Sequence, residues 1–482
     1  MKKSFLILCA LLVGLLCCSC SGDPADSAEG SGKTDAVQEQ AAAEAAETEK
    51  EWVPYEGLED HNYDGYNFTI LSYDTNASWN LYLDSEGENG ELLNDAAFRR
   101  NTEIEEMLGI AIEQVPSGEY ESMYSNSVVA GDTDVYDLVC FYAPGQRATY
   151  ITENMAYDWK QIPNLRLDAP WYNQNGNETF TIAGKQFFGI SDITFAGQQN
   201  SSILFNMEMV ENYNLQSPFE LVDAGKWTID AFRSYFEGVY LDTNGNGEKD
   251  DGDNYGLSCH RNHMGRVVAG SGEMEVYCGD DGFVVNLYSD KLVSLFEKIL
   301  AITADPNVRA TTNNDDINLL SNGNAMFITY ASDPAKLRDV PIEFGYLVFP
   351  KYDEAQENYI TEAQGGLMAV PTTASNLERS GAIIEALSAG SNKYLREAFI
   401  QNYVENKVLR NEDSIRMYRL ARSVLTYNIS YNIDPADLLA AHKFYSTMIG
   451  DPTLSHASYY ESIRESVETA YAELYKRCTE LD

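Results

Sequence analysis

Residues 92–115 read LLNDAAFRRNTEIEEMLGIAIEQV, a stretch in which a helical pattern leads directly into a strand pattern. Apolar side chains recur at helical spacing from Leu93 to Leu108, and the apolar run at 110–115 is typical of a buried strand. Another strand pattern precedes this stretch at 68–71, and the alternation continues downstream. The alternation predicts an α/β fold with a parallel sheet whose two faces are covered.

The same periodicities predict the elements of the rest of the chain. Helices are expected at 120–130, 146–159, 207–213, 229–240, 291–304, 317–321, 377–389, 396–406, 412–420, 435–448 and 459–478. Further strands are expected at 135–141, 325–330, 344–349 and 366–370.

Length and composition narrow the class of protein. The 482 residues suit one large or two medium domains, and 44% hydrophobic with 22% charged residues is ordinary for a globular chain. Lys and Arg number 33 against 75 Asp and Glu, for a net charge of -42. Because binding to nucleic acid needs clustered cations, DNA and RNA are not expected as partners.

The N-terminus has the pattern of an export signal. Two lysines precede an apolar run at 5–18, which is too short to span a membrane as a helix. The following Leu-Cys-Cys-Ser-Cys resembles a bacterial lipobox, which implies a lipoprotein signal peptide at 1–20 and lipidation of Cys20, with Cys18 as the alternative. A plain secretory signal remains open. Either way the mature protein is expected outside the cytoplasm, on the outer face of the cytoplasmic membrane if lipid-anchored.

Residues 21–52 are rich in Ala, Glu, Ser, Gly and Asp and have almost no large apolar side chain. Such a segment cannot bury a core, so it is predicted to be an acidic disordered tether.

Cysteine and histidine offer little chemistry. The folded part has Cys140, Cys259, Cys278 and Cys478, too few for a disulfide framework. Cys259 and Cys278 could pair, or both could remain thiols. The chain has no nucleophile elbow, phosphate-binding loop or dinucleotide-binding fingerprint, so it is not expected to be an enzyme.

Five stretches, at 94–110, 224–230, 322–328, 344–350 and 365–371, resemble in their order the extracellular solute-binding proteins of carbohydrate ABC transporters, the maltose-binding-protein-like branch. The resemblance implies a two-lobe, periplasmic-binding-protein-like (type II) fold with hinge crossovers and a ligand cleft between the lobes. Lobe 1 is expected to comprise 53–195 and 362–405, and lobe 2 to comprise 196–361 and 406–482.

The function implied by the resemblance is capture of a carbohydrate, an oligosaccharide in particular, by a lipid-anchored monomer that delivers it to an ABC transporter permease. Three alternatives share the export signal and composition: a receptor for a peptide or other non-sugar solute, a cell-surface glycan-active enzyme, and a structural adhesion protein.

A sugar cleft needs aromatic platforms beside hydrogen-bonding side chains, and in this fold the loops at strand ends line the cleft. Trp227 is expected instead to pack at a helix entry, with Thr228 as N-cap. The candidate ligand-binding residues are Asp74, Trp79, Tyr142, Arg147, Trp171, Tyr172, Gln198, Asn200, Tyr330 and Gln364.

Residues 242–253 match the calcium-loop pattern D-x-N-x-N-G-x-x-D-x-x-D. This pattern predicts a structural Ca²⁺ site in lobe 2, and the alternative is an acidic surface turn that binds no ion. The candidate ligands are Asp242, Asn244, Asn246, Glu248 through its carbonyl, Asp250 and Asp253.

Overall fold

The computed structural model describes residues 52–74, 82–141, 145, 147–197, 199–331 and 334–481. The predicted lipidation residue Cys20 and almost all of the predicted tether lie outside these ranges. Within them, no helix is both long and apolar enough to cross a membrane.

The strands, in chain order, are β1 (Tyr66–Ser72), β2 (Ile110–Pro116), β3 (Leu138–Cys140), β4 (Thr181–Ile182), β5 (Lys185–Gln186), β6 (Gln199–Asn200), β7 (Ser202–Asn206), β8 (Tyr255–His260), β9 (Val276–Gly279), β10 (Gly282–Val285), β11 (Val308–Thr311), β12 (Ala325–Tyr330), β13 (Phe344–Leu347), β14 (Thr361–Gln364), β15 (Met368–Ala369) and β16 (Leu425–Tyr427).

The helices are α1 (Leu92–Leu108), α2 (Tyr120–Ala130), α3 (Ala148–Thr152), α4 (Gln174–Thr179), α5 (Met207–Asn212), α6 (Pro218–Asp223), α7 (Ile229–Ser234), α8 (Arg261–Gly270), α9 (Asp290–Thr303), α10 (Asp316–Ser321), α11 (Leu377–Ser391), α12 (Glu412–Ser423), α13 (Ile429–Asn432), α14 (Lys443–Gly450) and α15 (His456–Glu480). Two π-helical segments, Asn392–Arg396 and Ala398–Val408, continue α11, and short 3-10 turns lie at Trp159–Gln161, Asp192–Gly197, Pro334–Leu337 and Ala440–His442.

The first sheet has the strand order β15-β3-β1-β2. Strand β1 runs parallel to β2, with Tyr66 opposite Ile110, and parallel to β3. Helices α1 and α2 provide the crossover connections that parallel strands require. Ile70 and Leu71, whose side chains point to opposite faces of the strand, are both fully buried, as expected for a sheet covered on both faces. The predicted parallel sheet is confirmed, and β15 adds an antiparallel strand at its edge.

The second sheet has the strand order β11-β8-β12-β7-β13. Strand β8 is parallel to β11 and β12, whereas β7 is antiparallel to β12 and β13. Trp227 is fully buried, its ring stacked at 6.3 Å on Phe327 of β12. The Thr228 hydroxyl accepts the N–H of Ala231 and caps α7. Both residues thus have the structural roles predicted for them.

A small crossover sheet, with the order β16-β14-β6, lies where the chain passes between the two main sheets. Along the chain, β6 comes just before β7 of the second sheet. Strand β14 follows β13 of the second sheet and precedes β15 of the first. Strand β14 is parallel to β16 and antiparallel to β6. The chain therefore has two α/β lobes joined by crossover segments, as predicted.

The helix predicted at 146–159 is wrong over most of its length, because α3 ends at Thr152. Asn154 has a left-handed backbone with φ 54°, and the N–H of Met155 donates to the Tyr150 carbonyl at 2.8 Å. This is a helix-terminating arrangement, and an asparagine can occupy its left-handed position. The helix predicted at 229–240 also ends early, at Ser234.

The helix predicted at 435–448 begins only at Lys443. The carboxylate of Asp434 accepts the backbone N–H groups of residues 439–440, at 2.6 and 3.0 Å, which closes a loop that competes with the helix. Ala441 and His442 then adopt left-handed backbone angles of 56° and 59° in φ. Strand β8, helix α8 and the β9-β10 hairpin had no counterpart among the predicted elements.

Candidate functional site

Trp171 and Tyr172, predicted as sugar platforms, belong to the interior of the first lobe. The Trp171 Nε1 donates to one oxygen of Glu385 at 3.0 Å, and the Tyr172 hydroxyl donates to the other at 2.7 Å. Arg166 adds an ion pair to the same carboxylate at 2.8 Å and covers the Trp171 ring at 4.8 Å. The two aromatic residues are only 2% and 3% exposed, so neither presents a face on which a sugar could stack. We call Glu385 and these three partners the Glu385 anchor.

The other candidates fall into two groups. Trp79, Tyr142 and Gln198 lie outside the described residues, and Asp74 is an exposed residue two positions after the end of β1. Arg147, Asn200, Tyr330 and Gln364, in contrast, lie at or next to the crossover sheet, and all four are buried.

Arg147 connects the end of β3 with the segment that follows β16. Its backbone N–H donates to the Asn432 carbonyl at 3.4 Å, and its guanidinium lies 4.9 Å from the Phe141 ring centre. An Nη of Arg147 also pairs with Glu121 at 3.4 Å. Arg147 therefore meets α13 and places a buried cation at the junction.

Gln364, at the end of β14, is held by a residue that was not among the sequence candidates. Arg266 of α8 donates to the Gln364 Oε1 at 2.7 Å, to the Tyr431 hydroxyl at 3.1 Å and to the Ser201 hydroxyl at 2.7 Å. The Gln364 amide donates in turn to the Ala331 carbonyl at 3.2 Å. One buried guanidinium thus ties together three segments at the crossover.

Asn200 and Tyr330 border this arrangement. Asn200 is on β6 and accepts from Arg422 at 3.2 Å, while Tyr330 ends β12 opposite Ser202. Ala331, which follows Tyr330, is the residue that accepts from Gln364. These predicted residues are therefore brought to one place, although the structure shows them 5% and 7% exposed.

A charged triad continues the network from β14. His442 is buried between two carboxylates, with Nε2 2.9 Å from Glu362 and Nδ1 3.2 Å from Glu275. Burial alone would lower the pKa of His442, but the Glu362 and Glu275 carboxylates outweigh it and raise the pKa to about 9. His442 is therefore an imidazolium at neutral pH, and its ring lies 5.2 Å from that of Tyr431.

Several polar atoms of this region have no hydrogen-bond partner among the described residues, although they are fully buried. Among them are the Asn432 Oδ1 and Nδ2, the Arg266 Nε and the Glu362 Oε1. Buried polar atoms without partners are rare and destabilising in proteins, so they call for an explanation. We define the crossover cluster as Arg266, Glu362, Gln364, Tyr431, Asn432 and His442.

The cluster can act chemically as a set of hydrogen-bond donors and acceptors. The Arg266 Nε and the Asn432 Nδ2 are donors, while the Glu362 Oε1 and the Asn432 Oδ1 are acceptors. A ligand with several hydroxyl groups could satisfy both kinds, because each hydroxyl donates and accepts.

Sequence reasoning missed Arg266, Tyr431 and Asn432. A signal existed for Arg266, which is flanked in sequence by Met, Gly and Val residues, since an arginine in an apolar helical run is either paired or functional. Asn432 lies in the stretch Tyr-Asn-Ile-Ser-Tyr-Asn-Ile at 427–433, whose polar residues are all buried.

The predicted calcium loop at 242–253 folds around its own polar side chains. The Asp242 carboxylate accepts the N–H groups three and five positions on, at 2.6 and 2.9 Å. The Oδ1 atoms of Asn244 and Asn246 each accept the N–H two positions on, at 2.9 and 2.7 Å. The side chains at loop positions 1, 3 and 5 therefore fold back over the loop.

The last part of the loop adds carboxylates. Asp250 receives the Nδ2 groups of Asn244 and Asn246 at 2.9 and 2.6 Å, and buried Asp253 accepts from the Tyr240 hydroxyl at 3.0 Å. In the described part of the chain, no group of three or more His, Cys, Asp and Glu side chains is arranged to hold a metal ion. A calcium ion would therefore depend on the two asparagines and on a carbonyl as well.

Comparison with known proteins places the fold. No protein-family model matches the sequence, and no curated protein matches it. Solved structures do match. A cyclo/maltodextrin-binding protein complexed with maltotetraose has a TM-score of 0.59 at 12% identity, covering 85% of this chain and 98% of that one. An ABC substrate-binding protein of Listeria monocytogenes in complex with cycloalternan has a TM-score of 0.55 at 13% identity, covering 84% and 99%.

The galacto-N-biose/lacto-N-biose I-binding protein of a Bifidobacterium longum ABC transporter, in complex with lacto-N-biose, gives a TM-score of 0.53 at 12% identity, with 86% and 98% covered. The chain therefore has the two-lobe type II fold that these sugar-binding proteins of ABC transporters share.

Proposed function

We propose that the protein captures a carbohydrate between its two lobes and delivers it to an ABC importer. The observation that carries this proposal is the crossover cluster, where buried donors and acceptors without partners lie at the junction of the lobes. The shared fold with proteins that bind maltotetraose, cycloalternan and lacto-N-biose supports it.

The charge of the cluster favours a neutral ligand. The Arg266 guanidinium and the His442 imidazolium lie among the carboxylates of Glu362 and Glu275, so positive and negative groups balance. An ionic ligand would add a buried charge without a counter-ion, which is strongly unfavourable. A neutral polyhydroxyl compound would add only hydrogen bonds, and this supports a sugar over a charged peptide.

Burial of the cluster implies a hinge motion. Tyr431, Asn432 and Gln364 are 6% exposed or less, so a ligand could reach them only if the lobes separate. The crossover sheet consists of short strands at the segments that join the lobes, which is where hinge residues are found in two-lobe binding proteins. We infer that the ligand enters an open form and is enclosed by closure.

An oligosaccharide, rather than a single sugar, is our expectation for the ligand.

The same proposal includes the predicted location. A lipid on Cys20 would hold the acidic tether and the folded part on the outer face of the membrane, where a monomeric receptor could meet the permease. We expect no covalent chemistry.

We also propose that the loop at 242–253 binds calcium as a structural ion. The donor set fits this ion, because Ca²⁺ prefers carboxylate, amide and carbonyl oxygens. The side-chain amides of Asn244 and Asn246 donate to the Asp250 carboxylate. A bound cation would take the place of these two hydrogen bonds at the carboxylate. The residues that would hold the ion are Asp242, Asn244, Asn246, Asp250, Asp253 and the carbonyl of Glu248.

The experiment that tests the main proposal is a thermal-shift screen of the full protein against maltotetraose, cycloalternan, lacto-N-biose and a panel of peptides. A ligand that binds only the native state raises the free energy of unfolding by about 2.7 kcal/mol at a hundredfold excess over Kd. The melting temperature rises with it. A sugar that does so supports the proposal. A response to peptides alone would point to a non-sugar receptor, and release of reducing ends from glycans would point to an enzyme.

A further inference from the structure

The hairpin β9-β10 turns one face toward the long C-terminal helix α15. Cys278 on β9 lies directly opposite Phe283 on β10. Their strand neighbours Tyr277 and Val284 are 47% and 40% exposed. Because successive side chains of a strand point to opposite faces, Cys278 and Phe283 share the inner face of the hairpin.

Helix α15 covers this inner face. The Phe283 ring lies 5.0 Å from the ring of Tyr471 and 6.2 Å from that of Tyr475. The Tyr475 hydroxyl also donates to the carbonyl of Asp280, in the hairpin turn, at 3.0 Å. Helical spacing puts Cys478, seven residues after Tyr471, on the same face of the helix. The cross-strand neighbour of Phe283 and this cysteine therefore point into one interface.

The two cysteines differ in access, and Cys278 acts on the pKa of Cys478. Burial raises the pKa of Cys478 to about 12, and the charge of Cys278 adds to the increase. Cys478 is fully buried, whereas Cys278 is partly exposed. Cys278 lines an open groove of about 860 Å³ together with Tyr475 and Thr479. A small thiol reagent can therefore reach Cys278 first.

Cys259, the partner considered for Cys278 from the sequence, is placed elsewhere. It lies on β8 in the interior of the second sheet and is fully buried. Its charged neighbours are Asp316, Arg309 and Arg261, which belong to that sheet and to helices α10 and α8. Pairing of Cys259 with Cys278 is therefore not what the structure favours.

We propose that Cys278 and Cys478 form a disulfide that fastens the β9-β10 hairpin to helix α15 when the protein meets an oxidised dithiol or glutathione disulfide. The Cys278 thiolate attacks the oxidant's disulfide, which forms a mixed disulfide and releases one thiol. The Cys478 sulfur, after losing its proton, displaces the second thiol and closes the protein disulfide. Two electrons and two protons leave the protein with the two thiols of the reduced oxidant, so the exchange balances.

This bond would constrain more than the hairpin. Arg477, next to Cys478, donates from Nε to the carbonyl of Thr152 in the first lobe at 2.8 Å. Helix α15 thus contacts α3 of the first lobe and the hairpin of the second. A disulfide at its C-terminal end would keep this helix in place, mainly by restricting the unfolded chain.

The test uses the full protein, reduced and then incubated with glutathione disulfide at about pH 8, because the thiolate is the form of cysteine that attacks a disulfide. Peptide mapping by mass spectrometry without reduction should show one cross-linked peptide pair that contains Cys278 and Cys478. Because the pKa of Cys478 is high, a glutathione adduct on Cys278 should appear first and then decay. The oxidised protein should melt at a higher temperature than the reduced protein.

Matched variants separate this disulfide from other thiol chemistry. Cys478→Ser should stop the reaction at the glutathione adduct on Cys278, and either Cys278→Ser or Cys478→Ser should remove the redox dependence of the melting temperature. Cys140→Ser and Cys259→Ser should keep the cross-link. A stable adduct on Cys278 in the parent protein, or a cross-link from Cys278 to Cys259, would overturn the proposal.

Discussion

The Glu385 anchor and the crossover cluster are both buried polar networks built on a carboxylate, but only the carboxylate of Glu385 has both of its oxygens bonded. Both oxygens of Glu385 are used by Trp171, Tyr172 and Arg166. In the crossover cluster, the Asn432 amide, the Arg266 Nε and the Glu362 Oε1 have no partner among the described residues. A carboxylate whose two oxygens are both bonded within one lobe stabilises that lobe. A network left incomplete at the junction of two lobes is available to a ligand.

The largest effect on stability is expected at the Glu385 anchor. Glu385→Leu removes the acceptor of the Trp171 N–H and of the Tyr172 hydroxyl and the ion pair of the Arg166 Nε, while Arg166 keeps its contacts with Val53 and Glu56. Breaking a buried ion pair on one side lowers the free energy of unfolding by about 3–5 kcal/mol. Chemical denaturation would measure this loss. Glu378→Leu, at an exposed position of the same helix, should change stability by less than about 0.5 kcal/mol.

The next largest effect on stability is expected at His442, which is paired with Glu362 and Glu275, and it depends on pH. His442 has a pKa of about 9 in the folded protein, against about 6.5 in an unfolded chain. A raised folded pKa contributes stability that is fully present below about pH 6.5 and is lost as the pH rises through about 9, here roughly 3 kcal/mol.

His442→Gln should remove this slope, which is measured as stability against pH between 7 and 9.5. His456→Gln is the matched control, because burial lowers the pKa of His456 and leaves it neutral across that range. Equal slopes in the parent and in His442→Gln would show that the triad is not charged as described.

Calcium removal is expected to have a slightly smaller effect. If the loop at 242–253 binds the ion in the native state only, a chelator should lower stability by about 2–3 kcal/mol when calcium had been a hundredfold above its Kd. Asp242→Ala should abolish the response to the chelator. Asp251→Ala changes an aspartate of the same loop that pairs with Arg309 instead, and it should keep the response. A melting temperature indifferent to chelation in the parent would leave an acidic turn.

The comparison also shows why the sequence predicted the fold better than the site. The alternation from β1 to β3 is a local pattern, so strands and helices there were predicted within a few residues. Trp171 is a core residue because of Glu385, which is 214 residues away in the chain. Arg266 matters through Gln364 and Tyr431, at separations of 98 and 165 residues. Such contacts leave no periodic signal, so an aromatic residue in a polar loop looks the same whether it is buried or exposed.

The failed helix at 435–448 has a similar cause. Its apolar spacing is helical, but Asp434 captures two backbone N–H groups and two residues take left-handed angles before α14 begins. That turn delivers His442 between Glu275 and Glu362. The position of His442 thus depends on a non-helical turn in a stretch whose apolar spacing is helical. Periodicity alone could not predict that turn.

A matched pair of asparagine variants can show whether the crossover cluster binds the ligand. Asn432→Leu replaces an amide without partners by an apolar side chain of similar size, so stability should change by less than about 1 kcal/mol. Asn411→Leu removes an amide that caps α12 and donates to Phe344, which should lower stability by about 1–2 kcal/mol.

The decisive measurement is the rise in melting temperature that a sugar produces in each variant. We expect that a sugar stabilising the parent also stabilises Asn411→Leu by the same amount, and fails to stabilise Asn432→Leu. An equal ligand-induced rise in Asn432→Leu and in the parent would contradict this expectation.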